Sequence, residues 1–280
     1  MNRGHFAGAL VVIAIAAILC TVSAADGEEP RAKMSGPSLL ILFDNNAAVT
    51  GVKYGWGFSC LVRSGGTSLL FDTGADGAIL LSNMARLGVD PAEIDAVFLS
   101  HDHWDHVGGL RAVLEHKPDL DVHLTPAFSD ALVRRARKAG ARVIAHGPLD
   151  GGAGASGEIA PGLFTTGALE GPPEEHALVI ELERGVVVVS GCSHPGIAAM
   201  LERIRSRFDK PVLLALGGYH LLHDSRSEIR STIERFRALE VRRVAPIHCT
   251  GARARRMFKH AFGDDFLRVG AGSEVDLTAL

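Results

Sequence analysis

The sequence predicts an α/β protein in which two β-sheets pack face to face under outer layers of helices, a four-layer αββα sandwich. Three observations carry this prediction. The first part reads as a meander of short apolar strands, and the later part alternates strands with amphipathic helices. No linker divides the span 38–280, so one domain is expected there.

Residues 1–24 stand apart from that domain. Arg3 gives a short basic start, and an apolar run follows from about Phe6 to Cys20. The run is shorter than the roughly 20 residues that a spanning helix needs. Val22-Ser23-Ala24 then offers a small-residue cleavage site, so a signal peptide over 1–24 is expected. The mature protein would be exported, periplasmic or extracellular, with no stable membrane insertion after cleavage. An uncleaved anchor is the alternative, and Leu19 before Cys20 is too bulky for lipoprotein processing.

The strand candidates, in order, are LLILFD, GFSCLV, TSLLFD, DAVFLS, VHLT, ALVIELE, GVVVVS, PVLLALG and RRVAPI. Helices are expected over Ala78–Leu87, Gly109–His116, Ser129–Ala139, Ile197–Phe208, Glu228–Leu239 and Ala252–Phe262, several with capping residues before them or glycine after them. Residues 147–162, GPLDGGAGASGEIAPG, read as a glycine-rich loop. It lacks the Lys-Ser/Thr ending of a phosphate-binding loop.

Charge narrows the partners. With 29 basic and 32 acidic residues the net charge is −3, which offers no broad cationic field to a nucleic-acid backbone. Aromatics make up only 6% of the chain, too few for a base-stacking platform. The basic runs RRARKAG and GARARRMFKH fall on amphipathic helices and read as solvated faces. A small-molecule substrate is expected, and the oligomeric state is left open.

The chemistry is concentrated in SHDHWDHVGGL, residues 100–110, where three histidines and two aspartates fall within six residues after an apolar strand. In the H-x-H-x-D-H pattern a tight loop can aim His101 and His103 at one metal, and Asp105 and His106 at a neighbouring one. Imidazole and carboxylate donors suit zinc, iron or manganese, whereas an alkaline-earth site would use oxygen alone. His220, after a Gly-Gly turn in GGYHL, is either a cleft residue that contacts substrate or donates a proton, or a hydrogen-bonded structural residue. Cys60 reads as a small buried hydrophobe, while Cys192 and Cys249 each lie beside a histidine-bearing motif.

The run 100–110 resembles the signature of the metallo-β-lactamase superfamily. LLFDTG (69–74), SGCSHPGI (190–197), GGYHL (217–221) and PIHCTG (246–251) follow the order of one branch, the dihydropterin synthase-like proteins. A single D-T-G could also suggest an aspartic protease, but that reading needs a symmetric dimer of small subunits and fits neither this length nor the histidine cluster.

The resemblance implies two divalent transition-metal ions, zinc first, with His101 and His103 on one and Asp105 and His106 on the other. It implies His248 as the final ligand and His194 as the middle one. Where the superfamily places a bridging aspartate this chain has Gly191-Cys192-Ser193-His194, so Cys192 as a thiolate and His176 as an earlier histidine ligand stay open as alternatives. The function it implies is a metal-dependent hydrolase in which a metal-held hydroxide attacks a small ester, thioester or phosphoester, with Asp105 and His220 as catalytic groups. The alternatives are a transferase of the dihydropterin/ribofuranosylaminobenzene phosphate synthase type and a non-catalytic periplasmic metal-binding protein.

Overall fold

Strand β1 (Ser38–Phe43) shows why the sheets need cover on both faces, because all six of its residues are buried. Leu39 and Ile41 enter a core between two sheets, and Leu40 and Leu42 enter a second core beneath helices. Alternation with both faces apolar produces the near-continuous hydrophobic run seen in the sequence. The computed structural model describes Met1 and residues 36–149 and 157–280. The expected signal peptide lies outside the described residues except for Met1. The chain divides into two units, Met1–Pro30 and Arg31–Leu280, and the account below concerns the second.

The first sheet contains β1, β2 (Ser59–Ser64), β3 (Thr67–Phe71), β4 (Ala96–Phe98), β5 (Asp121–Leu124), β6 (Arg142–Ala145) and β13 (Glu274–Asp276), in the order β13-β1-β2-β3-β4-β5-β6. Its first pairs are antiparallel, and from β3 to β6 the pairing is parallel. The second sheet runs β12-β11-β10-β9-β8-β7, from β7 (Glu158–Ala160), β8 (Leu163–Thr165), β9 (Leu178–Leu182), β10 (Gly185–Ser190), β11 (Val212–Gly218) and β12 (Arg243–Ile247). Here β10, β11 and β12 are parallel and the rest antiparallel.

Phe71, Phe98, Val187, Val189, Leu214 and Ile247 meet in the core between the sheets. Helices α1 (Gly77–Arg86), α3 (Leu110–His116) and α4 (Asp130–Lys138) cover the first sheet, while α5 (Ile197–Phe208), α6 (Arg226–Ala238) and α7 (Gly251–Phe262) cover the second. The predicted four-layer αββα sandwich is the observed architecture. All six expected helices are present, with every end within two residues of its expected place, and the short α2 (Trp104–Val107) falls inside the histidine motif.

Four strands were not expected from the sequence. β6 is an edge strand with half-exposed and exposed residues, and β7, β8 and β13 are three residues each, too short for alternation to register. β7 lies within the glycine-rich run, so its Glu158–Ala160 part is paired strand rather than loop, and 150–156 fall outside the described residues.

Candidate metal centre

The site is built where parallel strands of both sheets end on the same edge, the place where α/β sheets generally bind ligands. Asp72 follows β3, Ser100 and His101 follow β4, Cys192 and His194 follow β10, His220 follows β11 and His248 follows β12. Four of these turns are tight enough to force non-glycine residues to positive φ: Asp72 (51°), Ser193 (66°), His220 (52°) and His248 (49°). That backbone region disfavours side chains with a Cβ, and its concentration at one edge marks a functional constraint. Gly191 is required for close approach, since a Cβ there would stand 2.1 Å from Ser100 Oγ.

α2 carries the second half of the motif and is docked by its backbone. His106 O accepts from Thr73 N (2.7 Å) and Thr73 Oγ1 (2.9 Å), and Asp105 O accepts from Phe58 N (3.2 Å). The DTG stretch therefore supports the histidine loop through main chain as well as through Asp72. Asp102, between the first two histidines, turns away and accepts from Ser129 N at the start of α4 (2.8 Å).

The ligand atoms of His101, His103 and His194 lie within 4.8 Å of one another, as do those of Asp105, His106 and His248 and those of His101, His106 and Cys192. All six residues singled out as metal ligands are thus brought to one place, with Cys192 beside them. Each set rests on a ring of partners. Ser100 Oγ donates to Asp72 Oδ2 (2.8 Å) and accepts from His101 Nδ1 (2.9 Å). His106 Nδ1 donates to Asp72 Oδ2 (2.7 Å), His194 Nδ1 to Glu175 Oε2 (2.8 Å) and His248 Nδ1 to Asn45 Oδ1 (3.1 Å). Four imidazoles are fixed through Nδ1 in one tautomer, which leaves Nε2 as the nitrogen able to ligate, as the partners of metal-ligating histidines commonly do.

The surroundings of those Nε2 atoms give a test of fit. His248 Nε2 is buried without a hydrogen-bond partner, although Asp105 Oδ2 is only 3.3 Å away. A lone pair facing a carboxylate is repulsive unless a proton or a cation lies between them. His106 Nε2 likewise faces Asp105 Oδ2 at 3.7 Å and Cys192 Sγ at 3.3 Å. His101 Nε2 and His103 Nδ1 are 3.1 Å apart, close enough for one to donate to the other or for both to face one ion. Burial, then the charge of His248, pushes His106 down to about 3, and burial, then His106, pushes His101 well below its ordinary value. Neutral imidazole is the form that ligates. The donor set fits transition-metal cations.

His176 is placed elsewhere, which removes it as an alternative ligand. Its Nε2 donates to Leu99 O (2.8 Å), its Nδ1 meets Thr165 Oγ1 (2.9 Å), and its ring stacks on Phe98 at 3.9 Å. Both nitrogens are used inside the core, and burial pushes the ring down to about 3. His176→Ala is expected to cost about 2–4 kcal/mol through the cavity and the unpaired groups it leaves. Chemical denaturation should show that loss while the metal content of the folded protein stays at the wild-type value.

Three residues at the site escaped the sequence reading. Glu175 is fully buried: Oε1 accepts from Cys192 N (2.9 Å) and Ser193 N (2.8 Å), and Oε2 from His194 N (2.9 Å) besides the His194 ring. Burial alone would raise its pKa, but His101 and His194 with the backbone donors hold it below the usual carboxylate range. In EGPPEEH it looks like a solvated loop residue, and only its place just before a buried strand could have hinted otherwise. Asp44 Oδ1 accepts from His248 N (3.0 Å), and Asn45 Oδ1 holds the His248 ring; in the sequence Asp44 only ends the strand candidate LLILFD and Asn45 follows it. His220 is exposed at the mouth, its ring 4.5 Å from that of His194. Trp56 stands 5.2 Å from the His248 ring.

Comparison with known proteins agrees with this fold. Residues 57–248 match the family described as the metallo-beta-lactamase superfamily. The chain is 30% identical over 268 residues to 7,8-dihydropterin-6-methyl-4-(β-D-ribofuranosyl)-aminobenzene-5'-phosphate synthase of Methanocaldococcus jannaschii, covering 79% of this chain and 88% of that one. It superposes with a TM-score of 0.70 and 27% identity on a metal-dependent hydrolase of the β-lactamase superfamily, over 86% of this chain and 99% of the other. Zn(2+)-bound PqqB from Methylobacterium extorquens shares the fold, at a TM-score of 0.57 and 17% identity, over 86% of this chain and 100% of that one. The family match spans most of the described domain and contains the whole histidine–aspartate constellation: the chain belongs to the metallo-β-lactamase superfamily.

Proposed function

We infer that the protein is a metal-dependent hydrolase with a dinuclear site, acting on a small ester, thioester or phosphoester. The observation that carries this reading is the convergence of four tautomer-locked imidazoles at one sheet edge, His106 and His248 grouped with Asp105, and His101 and His194 with His103. His101, His103 and His194 would hold one ion, and Asp105, His106 and His248 the other, with zinc the first choice and iron or manganese the alternatives. Bound there, a pair of divalent ions would acidify a water and polarise the bond it attacks.

The chain's own groups do the rest. Asp105 orients the attacking water and takes up its proton. Asp72 and Glu175 keep His106 and His194 oriented, and Asn45 does so for His248. His220, exposed beside His194, is placed to contact substrate at the mouth of the site. Exposed Trp56 and Trp104 border the histidine loop and the His248 turn, where they can hold an apolar part of a substrate. The expected export signal would put this activity outside the cytoplasm. Among the described residues no helix is long and apolar enough to cross a membrane.

A second reading, transfer rather than hydrolysis, is favoured by the 30% identity to the synthase. The same centre would then activate a pyrophosphate ester toward an amine or carbon nucleophile instead of water. Metal analysis of the mature protein tests the shared premise. Two or more transition-metal ions per chain, fewer in His101→Ala and in His194→Ala, support it, and an unchanged content in both variants overturns it. Release of alcohol, thiol or phosphate from model esters without an added acceptor then separates hydrolysis from transfer, and no turnover of either kind would leave a metal-binding protein.

A further inference from the structure

Cys192 and Cys249 are buried, unlinked thiols on two different strand ends, and both belong to the site edge. The Sγ atoms of Cys192 and Cys249 and a ring nitrogen of His220 all lie within 4.8 Å of one another. Cys249 Sγ also points at Cys192 O, at 3.6 Å. The two cysteine turns close on each other over Gly218, where a Cβ would come within 2.6 Å of Cys249 Sγ and 3.3 Å of Cys192 Cα. On its other side Cys192 Sγ is 3.3 Å from His106 Nε2. Cys60 shows what an inert thiol looks like in the same protein: it sits in the core between the sheets among Ile41, Phe71 and Phe98, its sulfur meeting backbone such as Leu61 O.

We propose that Cys192, Cys249 and His220 form a further metal site, contiguous with the histidine sets through Cys192, that takes a thiophilic cation of the Zn2+ or Cu+ class. Two thiolates and one imidazole are a soft donor set, suited to these ions and unsuited to Mg2+, Ca2+ or Mn2+. Tetrahedral zinc with Zn–S of about 2.3 Å and Zn–N of about 2.0 Å places its ligands roughly 3.5–3.8 Å apart, within the spread found for this trio. Binding releases the two thiol protons to solvent, and no electron changes hands. The ligand count is three, so a fourth position stays open, and His220 is exposed, which gives an ion a route in from solvent. The cysteine at the end of β10 then has a part that a carboxylate could not play as well, since sulfur can be shared between a histidine-rich ion and a thiolate-rich one.

The proposal rests on the reading of the histidine sets as a metal centre only in calling the new site contiguous, and the experiment separates the two. The full chain, reduced and metal-free, is titrated with Co2+ under argon while the near-ultraviolet sulfur-to-cobalt absorption is followed. Wild type should bind three ions per chain with absorption from two thiolates. Cys249→Ser and His220→Ala should each bind two, with the sulfur band cut to about half or less in the first. His103→Ala should lose an ion and keep the sulfur band. Circular dichroism checks that each variant is folded, and the exposed position of His220 makes its variant the safer one. Competition with Zn2+ and with Cu+ against bound Co2+ identifies the preferred ion. Saturation of wild type at two ions, with stoichiometry and sulfur band unchanged in Cys249→Ser, overturns the proposal and leaves the histidine centre standing. Loss of no ion in His103→Ala with a normal response in Cys249→Ser does the reverse. Recovery of a Cys192–Cys249 disulfide from protein isolated under argon would also overturn it.

Discussion

Asp105→Asn is expected to lower turnover by roughly 10²–10⁴-fold, the span usually lost with a group that handles the proton of a reacting water, and to remove one ion per chain. Asp105 is 5% exposed, with Oδ2 at 3.3 Å from His248 Nε2 and 3.7 Å from His106 Nε2. Burial pushes its pKa up, but His248 and His106 outweigh that, so the group stays ionised below the usual carboxylate range. Asparagine keeps the shape and removes the charge. Its amide N–H can donate to His248 Nε2, the atom that has no partner in the wild type. The variant therefore satisfies by hydrogen bonding what the wild type leaves open for a cation. Metal-free Asp105→Asn should melt at or above the temperature of metal-free wild type, a gain in stability bought by loss of function. Elemental analysis, kcat/KM on whichever model ester turns over, and melting of the metal-free proteins check the three parts. Unchanged metal content with unchanged turnover would refute the assignment.

The second large effect is at Glu175. Truncation to alanine leaves three backbone N–H groups and the His194 Nδ1–H without their acceptor, in a place with no exposure. Each buried donor left unmade costs about 1–3 kcal/mol, but the Cys192–His194 turn can relax and admit water, so a net loss of about 3–5 kcal/mol is expected, as for breaking a buried ion pair. At roughly 2–4 °C per kcal/mol for a domain of this size, the melting temperature falls by about 6–20 °C. Glu175→Gln separates stability from ligation. Its carbonyl can still accept from two amides, but its NH2 faces the His194 ring. His194 can answer only by moving its proton to Nε2, which stops that atom from binding a cation. The glutamine variant should lose less stability than the alanine variant while its metal affinity drops about 10–100-fold, the usual cost of losing a ligand's orienting partner. Melting curves and competitive metal titration read the two quantities separately, and equal losses of both in the two variants would mean that Glu175 acts on the fold alone.

His101, His103, Asp105 and His106 could be read directly because they share one short loop, and local spacing shows what a single loop can hold. The strands β1, β9, β10 and β11 were legible for a related reason: a sheet covered on both faces must be apolar at consecutive positions, and that leaves a mark in the sequence. His194, His220 and His248 each end a strand beside glycine or cysteine, so their motifs stood out, but only the resemblance tied them to the loop. Tertiary structure decided the rest. The chain distance between Glu175 and His194, or between Asn45 and His248, leaves no local pattern, and a buried acceptor for four donors has the same letter as a solvated loop glutamate. His176 and His194 both precede or follow apolar strands, and only packing distinguishes a histidine stacked on Phe98 with both nitrogens paired from one whose Nε2 is free. Sequence alone determined that metal-binding side chains meet at a strand end; the pairing of two sheets decided which imidazoles are locked, which are consumed by the core, and which sulfurs come together, because those are distances between residues far apart along the chain.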